Sequence, residues 1–322
     1  MTARDLQSLA EAVTPAMIAA LRRVHRDIRD LIQHDPATAF EPLLIGTRHK
    51  RAIGLDWYVE CQMACELRRR LGATNITVIG EETLRDPNVD LTDNAGLVVL
   101  NDILDGSDLA ERWLGNWCSA SVVFYPRERR ILGAYVAMPE MSAVYCVTEG
   151  MRAPIRYPIP ERGSPRTITG PSTVRDIRTA SIAYYGQKAG NYLSLAQNPE
   201  VTSFLRSLSD QQAGGNDLGF RLFTLGGIPQ MVRVVDGHRR MDAVVDACGQ
   251  NPHDAVAGLY LAQRGGATVI GLNGKPIDLA SSLLRPSDPR KKLKYVLAAT
   301  PELAESLVGW FTPDEPGAVF AA

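Results

Sequence analysis

In VVLNDILDGSDLAER, residues 98–112, an apolar run leads into Asp102, Asp105 and Asp108 at three-residue intervals, with Gly106-Ser107 between the last two. Carboxylates this close repel one another unless something positive lies between them. Such a cluster suits a solvated surface, a helix N-cap, a calcium loop or a magnesium site. A solvated loop fits poorly, because a strand leads in and Ile103 and Leu104 separate the acids. A calcium loop needs oxygen ligands at alternate positions before its glycine and a bidentate Glu at its end, and neither stands at those offsets. Capping of a helix through AERW by Ser107 or Asp108 accounts for one polar residue and leaves Asp102 and Asp105 unexplained. A magnesium site uses both. A strand ending at Asp102 and a turn carrying Asp105 let two carboxylates converge with the Leu104 carbonyl between them, and Gly106 allows close backbone approach to a ligand. The amides of Gly106 and Ser107, at a helix start, suit a phosphate oxygen. Hard oxygen ligands with no His or Cys nearby favour Mg2+ over zinc.

Two further acids stand where a strand ends or a helix begins. VIGEETL places Glu81 and Glu82 just beyond a strand and a glycine, and NPHDAVAGLYLAQRGG places Asp254 at the start of an apolar helix. Taken singly, the first is an ordinary exposed Glu pair and the second a first-turn acid favoured by the helix dipole.

In order, GEE, then D-x-x-D-G-S, then D-A-V-A-G…RGG resembles the inositol monophosphatase and fructose-1,6-bisphosphatase superfamily of magnesium-dependent, lithium-sensitive phosphomonoesterases. The resemblance covers at least residues 56–280. It implies an α-β-α-β-α sandwich and a phosphatase whose water nucleophile is activated by two Mg2+ ions, or three. Carried over, Glu81, Asp102 and the Leu104 carbonyl hold one ion; Asp102 bridges to a second, completed by Asp105 and Asp254. Asp56, in LDWYVE, matches the acid that orients the attacking water. Ser107 matches the hydroxyl that contacts this water, and the Gly106 and Ser107 amides receive phosphate. Glu82 falls behind the ligands. The implied substrate is a small phosphate monoester of a sugar, cyclitol or nucleotide. The alternatives are a fructose-1,6-bisphosphatase-like or 3′-phosphoadenosine phosphatase-like bisphosphatase, or a catalytically silent sugar-phosphate-binding protein. Asp246 and Arg221 are candidates for substrate contact, with Lys188 and Asn191 as weaker ones. Family members are commonly homodimers.

The sequence departs from the pattern at three motif positions: Ile103 replaces the usual Pro, His253 the usual Trp, and Gln263-Arg264 the usual Glu-Ala. None removes an expected metal carboxylate. His253 is a further candidate for substrate recognition, although a histidine entering a helix is more often structural.

The elements that must position these residues follow from periodicity. Val13, Met17, Leu21, Val24, Ile28 and Ile32 predict an amphipathic opening helix, and Asp56–Leu71 a second one ended by Gly72. NITVIG and LVVL predict strands, and CSASVVFYP, ILGAYVAMPE and SAVYCVTEG an antiparallel meander. The Pro/Gly-rich PIRYPIPERGSPRTITGPS predicts an interdomain connection. Beyond it, strands at TASIAYYG, Arg221–Thr224, MDAVVDA and KYVLAAT alternate with helices, and ATVIGLNGKPIDL reads as a hairpin. This is α+β or α/β in two lobes, 1–172 with the GEE and DILDGS motifs and 173–322 with HDAVAG.

The 322 residues carry a formal net charge of −1, so the chain as a whole has no attraction for nucleic acid polymers or an anionic membrane. No apolar run approaches the roughly 20 residues of a membrane span. Five scattered cysteines without zinc-site spacing, and a start unlike a secretory signal, predict reduced thiols and a cytoplasmic protein.

Overall fold

A computed structural model describes residues 3–41, 54–71, 76–81, 84, 89–112, 114–186, 188–214, 219–237 and 241–311. Gly72, Glu82 and Trp113, which figured in the expectations above, lie outside them.

The first sheet has seven strands in chain order: β1 (Ile76–Gly80), β2 (Leu97–Asp105), β3 (Cys118–Tyr125), β4 (Arg130–Met138), β5 (Ala143–Thr148), β6 (Ile155–Pro158) and β7 (Arg166–Thr167). β1 runs parallel to β2, and each later neighbour is antiparallel. All residues of β3 and β5 are buried, which is why Val122–Tyr125 and Ala143–Val147 within them read as continuous apolar runs rather than alternating ones. The helices Ala3–His34 and Gly54–Leu71 share one core with this sheet. Met17, Leu21, Val24 and Ile28 lie with Leu55, Met63 and Leu67 beside Val99, Val123 and Tyr135. Each such fully buried side chain contributes about 1.5–3 kcal/mol. The Thr14 and Tyr135 hydroxyls, 2.8 Å apart, fix the long helix against β4.

The second sheet has five strands: β8 (Ser181–Tyr184), β9 (Arg221–Phe223), β10 (Ala243–Gln250), β11 (Thr268–Gly271) and β12 (Leu293–Ala298), in the order β11-β12-β10-β8-β9. β12 is antiparallel to both neighbours, while β10, β8 and β9 are parallel. Helices Pro199–Ala213 and Pro301–Val308 supply Val201, Phe204, Leu208, Leu303 and Leu307 to a core with Ile182, Val245 and Val296.

The chain forms two compact units. One comprises Met1–Thr167 with Asn251–Leu261 and Asp278–Lys291; the other comprises Ile168–Gln250, Ala262–Ile277 and Lys292–Ala322. Layers of helices and two sheets match the expected sandwich class. Among the described residues, no helix is long and apolar enough to cross a membrane.

Four local expectations are corrected. β2 does not stop at Asp102 but continues to Asp105. The stretch expected only as a connection contributes β6 and β7, because Ile155–Pro158 finds pairing partners on β5. The loop holding Lys188 and Asn191 opens a helix, Ala189–Ala196, in which the Asn191 side chain donates to the Tyr185 carbonyl. The hairpin after β11 is reduced to a bridge between Ile270 and Pro276, since β11 pairs with β12 instead.

Candidate metal centre

Gly80 is the register partner of Asn101 in the parallel β1–β2 pair. Glu81, just beyond β1, and Asp102, within β2, therefore follow in step on backbones about 4.8 Å apart. A β-carbon on Gly80 would run into the buried carboxyl end of Glu60, which explains the glycine before the acid. Asn101 accepts a hydrogen bond from the Ser121 hydroxyl at 2.6 Å and shares the parity of Val99, which lies in the helix-covered core. By strand alternation Asp102 faces the other way, and it is only 5% exposed.

The three-residue spacing of Asp102 and Asp105 would place them on opposite faces of a regular strand. It does not do so here. Asp102 pairs with Ala120 and Asp105 with Cys118, so Ile103 and Leu104 oppose the single residue Ser119. This bulge adds one residue and restores parity: both acids are set against the face of β3 that carries Cys118 and Ala120. The Cys118 thiol is 3.8 Å from Asp105 Oδ2. Burial, then the charges of Asp105 and Asp102, hold that thiol well above its ordinary pKa.

Gly106 follows with φ +85°, in the left-handed region, where a β-carbon would also press on Asn116 and Trp117. It is the N-cap residue of the short helix Ser107–Glu111, and its carbonyl accepts from the amides of Leu109 and Ala110. The N-cap is Gly106 and no side chain caps this helix, so the capping reading weighed for Ser107 or Asp108 has no counterpart here.

From the other end of the sequence, helix Pro252–Arg264 carries Asp254 in its first turn. Asn251 Nδ2 donates to Asp254 Oδ2 at 3.1 Å, and His253 Nε2 forms an ion pair with Asp254 Oδ1 at 2.8 Å. His253 Nδ1 lies 2.9 Å from the Pro286 carbonyl. Burial by itself lowers the His253 pKa, but the adjoining Asp254 carboxylate, with Glu81 and the Pro286 carbonyl, outweighs it and raises the value to about 9.

Ligand-capable atoms of Glu81, His253 and Asp254 all lie within 4.8 Å of one another, the one such trio among the described residues. Of the residues expected to bind metal, Glu81 and Asp254 thus meet; Asp102 and Asp105 stand together along β2 and do not join that trio. Asp56 is half-buried in the first turn of Gly54–Leu71. One expectation is overturned: the acids are not free of His and Cys neighbours, since His253, the residue before Asp254, contacts it, and Cys118 on β3 contacts Asp105. His253 was visible in the sequence only as a departure from Trp, and Cys118 carried no local signal.

The donor set fits a divalent cation. Two carboxylates and one imidazole nitrogen converge on a space of ionic size. In the other unit, Asp246 is fully buried. Its Oδ1 accepts from the amides of Cys248 and Gly249 at 2.8 and 2.7 Å, and its Oδ2 has no partner. Arg221 is exposed on β9 and donates to the Phe220 carbonyl.

No family model matches the chain, and no curated protein does. Solved structures do match along nearly the whole length. A hypothetical protein from Pyrococcus horikoshii, described as similar to inositol-1 monophosphatase, is 21% identical with a TM-score of 0.56, over 90% of this chain and 98% of its own. The fold is that of the inositol monophosphatases. An IMPase/NADP phosphatase complexed with NADP and Ca2+ has 15% identity and a TM-score of 0.64, over 98% of this chain and 97% of that one. The extragenic suppressor protein suhB from Bartonella henselae has 14% identity and a TM-score of 0.63, over 94% and 99%. The resemblance read from the motifs thus holds at the level of the inositol monophosphatase fold, in a divergent sequence.

Proposed function

We propose that the chain is a divalent-cation-dependent phosphatase acting on a small phosphate monoester of a sugar, cyclitol or nucleotide, with Mg2+ as the family's ion. The observation that carries this is the meeting of Glu81 and Asp254, remote in sequence, at the fold's one described metal-capable trio, beside a strand that presents Asp102 and Asp105 on one face. Glu81, Asp102 and the Leu104 carbonyl hold one ion; Asp102, Asp105 and Asp254 hold another. Bound cations supply Lewis-acid polarisation of a phosphoryl oxygen and a water acidic enough to attack at neutral pH. Asp56 and Ser107 orient that water. The Gly106 and Ser107 amides receive the phosphate oxygens, positioning phosphorus for in-line attack. The ester P–O bond breaks as the water oxygen bonds to phosphorus, and the alcohol leaves protonated. Asp246 and Arg221 are the candidates for contact with the remainder of the substrate.

A second reading has one observation in its favour. The His253–Asp254 ion pair offsets part of the cluster's charge without any cation, as suits a sugar-phosphate-binding protein that has lost turnover. Phosphate release from inositol 1-phosphate, fructose 1,6-bisphosphate, 3′-phosphoadenosine 5′-phosphate and mononucleotides, with and without Mg2+ and with Li+, tests both. Cation-dependent release that Asp102→Asn abolishes establishes the phosphatase. Saturable binding of a sugar phosphate without release establishes the silent binder.

A further inference from the structure

We propose that a cation seats in the trio itself, where Glu81 and Asp254, assigned above to separate ions, come within 4.8 Å of one another, that His253 is a ligand of it through Nε2, and that the centre therefore selects a borderline first-row divalent ion over Mg2+. This rests on the metal-dependent reading above and adds a nitrogen to a ligand set that the sequence alone reads as all oxygen.

The geometry begins at the far side of the ring. A carbonyl can only accept, so the 2.9 Å contact between His253 Nδ1 and the Pro286 oxygen places a hydrogen on Nδ1. Nε2 is then the one ring nitrogen with a lone pair to give, and it faces Asp254 Oδ1 at 2.8 Å within the trio that includes Glu81. A bare lone pair aimed at a carboxylate oxygen at that distance is repulsive. Something positive must lie among these atoms: a proton on Nε2 or a cation shared by all three. A ring nitrogen fixed by a carbonyl behind it is the usual arrangement of a metal-bound histidine. The ring is also held in place, since His253 is 8% exposed at a helix entry.

The separation suits an ion. Two ligands at right angles about a cation roughly 2.1 Å from each lie about 3 Å apart, close to the 2.8 Å observed between Nε2 and Oδ1. Imidazole nitrogen raises affinity for Mn2+, Co2+ and Zn2+, whereas Mg2+ keeps oxygen ligands and water.

The test uses the full chain and His253→Asn. The Asn amide can still donate to the Pro286 carbonyl but puts nothing at the Nε2 position; circular dichroism and thermal unfolding verify that it folds. Wild-type protein is titrated with Mg2+, Mn2+ and Co2+ by calorimetry, and the Mn2+-loaded form is examined by electron spin echo for nitrogen coupling. Expected are tighter binding of Mn2+ and Co2+ than of Mg2+ and a nitrogen modulation in wild type. His253→Asn should lose the modulation and weaken Co2+ by about 10–100-fold, the range that loss of one partner around a metal costs, with Mg2+ affinity nearly unchanged. A wild-type Mn2+ spectrum without nitrogen coupling, or Co2+ affinity indifferent to the substitution, overturns the role of His253 and leaves the phosphatase reading standing. Failure of every ion to bind overturns both.

Discussion

Gly80 and Asn101 are register partners across the one parallel strand pair of the first sheet, and the residue after each is an acid. Glu81, just past the end of β1, and Asp102, within β2, are thereby set on neighbouring backbones although they stand 21 positions apart in the sequence. The bulge at Ile103-Leu104 then turns Asp105 onto the same face as Asp102.

Asp102 is buried and shares a face of β2 with Asp105, so Asp102→Asn should relieve carboxylate repulsion in the metal-free protein while removing a proposed bridging ligand. Its melting temperature without added metal should equal or exceed that of wild type. The stabilisation by saturating cation, about 2.7 kcal/mol at a concentration 100 times Kd, should vanish from melts recorded with and without Mg2+ or Mn2+. Phosphate release should fall by more than about 100-fold.

Gly106 has φ +85° and closes the turn behind Asp105. Gly106→Ala forces a β-carbon into the left-handed region at a cost of about 1–2 kcal/mol, to which contact with Asn116 and Trp117 adds. Urea unfolding should show the loss, and any surviving phosphatase activity should have a raised KM as the phosphate-facing turn shifts.

Asp246 gives a pH signature in the second unit. Burial raises its pKa to about 6, against the opposing effect of the Gly249 and Cys248 amides and of Lys292 and Lys294. A raised carboxyl pKa means that the folded state holds the proton more tightly than the unfolded chain. The associated stability is therefore complete below about pH 4 and lost as pH rises through 6. Asp246→Asn keeps an oxygen to accept from both amides and removes the titration. Relative to wild type, its stability should gain little at pH 4 and up to about 3 kcal/mol above pH 7. A constant difference across pH 4–8 would contradict this account of Asp246.

Thiol reactivity should follow burial. Cys65 is exposed, whereas Cys118 and Cys146 are buried with pKa values raised foremost by burial. Limited alkylation of the native protein, read by mass spectrometry, should label Cys65 first and leave Cys118 and Cys146 unlabelled until denaturant is added.

Much of this was legible in the sequence because period and burial agree. The seven-residue spacing of Met17, Val24 and Leu31 announces a helix face, and the unbroken apolar run Val122–Tyr125 of β3 announces a strand covered on both sides. Helix Ala189–Ala196 was not legible. It contains Gly190 and Asn191 and leaves Tyr192 and Leu193 about half exposed, so its pattern looks like a loop. The bulge was hidden for another reason: a three-residue spacing of acids is equally a turn or an irregular strand, and only pairing with Cys118 and Ala120 decides. His253 could be noticed as a substitution, but its reach to Asp254 Oδ1 and the Pro286 carbonyl depends on side-chain direction and on a segment that returns from far along the chain.

That return has a consequence for how the protein can be divided. Asn251–Leu261 and Asp278–Lys291 belong to the first compact unit, yet each is flanked by chain that belongs to the second. A fragment ending at Thr167 would hold Glu81, Asp102 and Asp105 but neither His253, Asp254 nor the Pro286 carbonyl that orients the ring. No single cut separates the first unit from the second. The ion site proposed above accordingly needs the uninterrupted polypeptide, and is complete only once its late segments have been made and have come home.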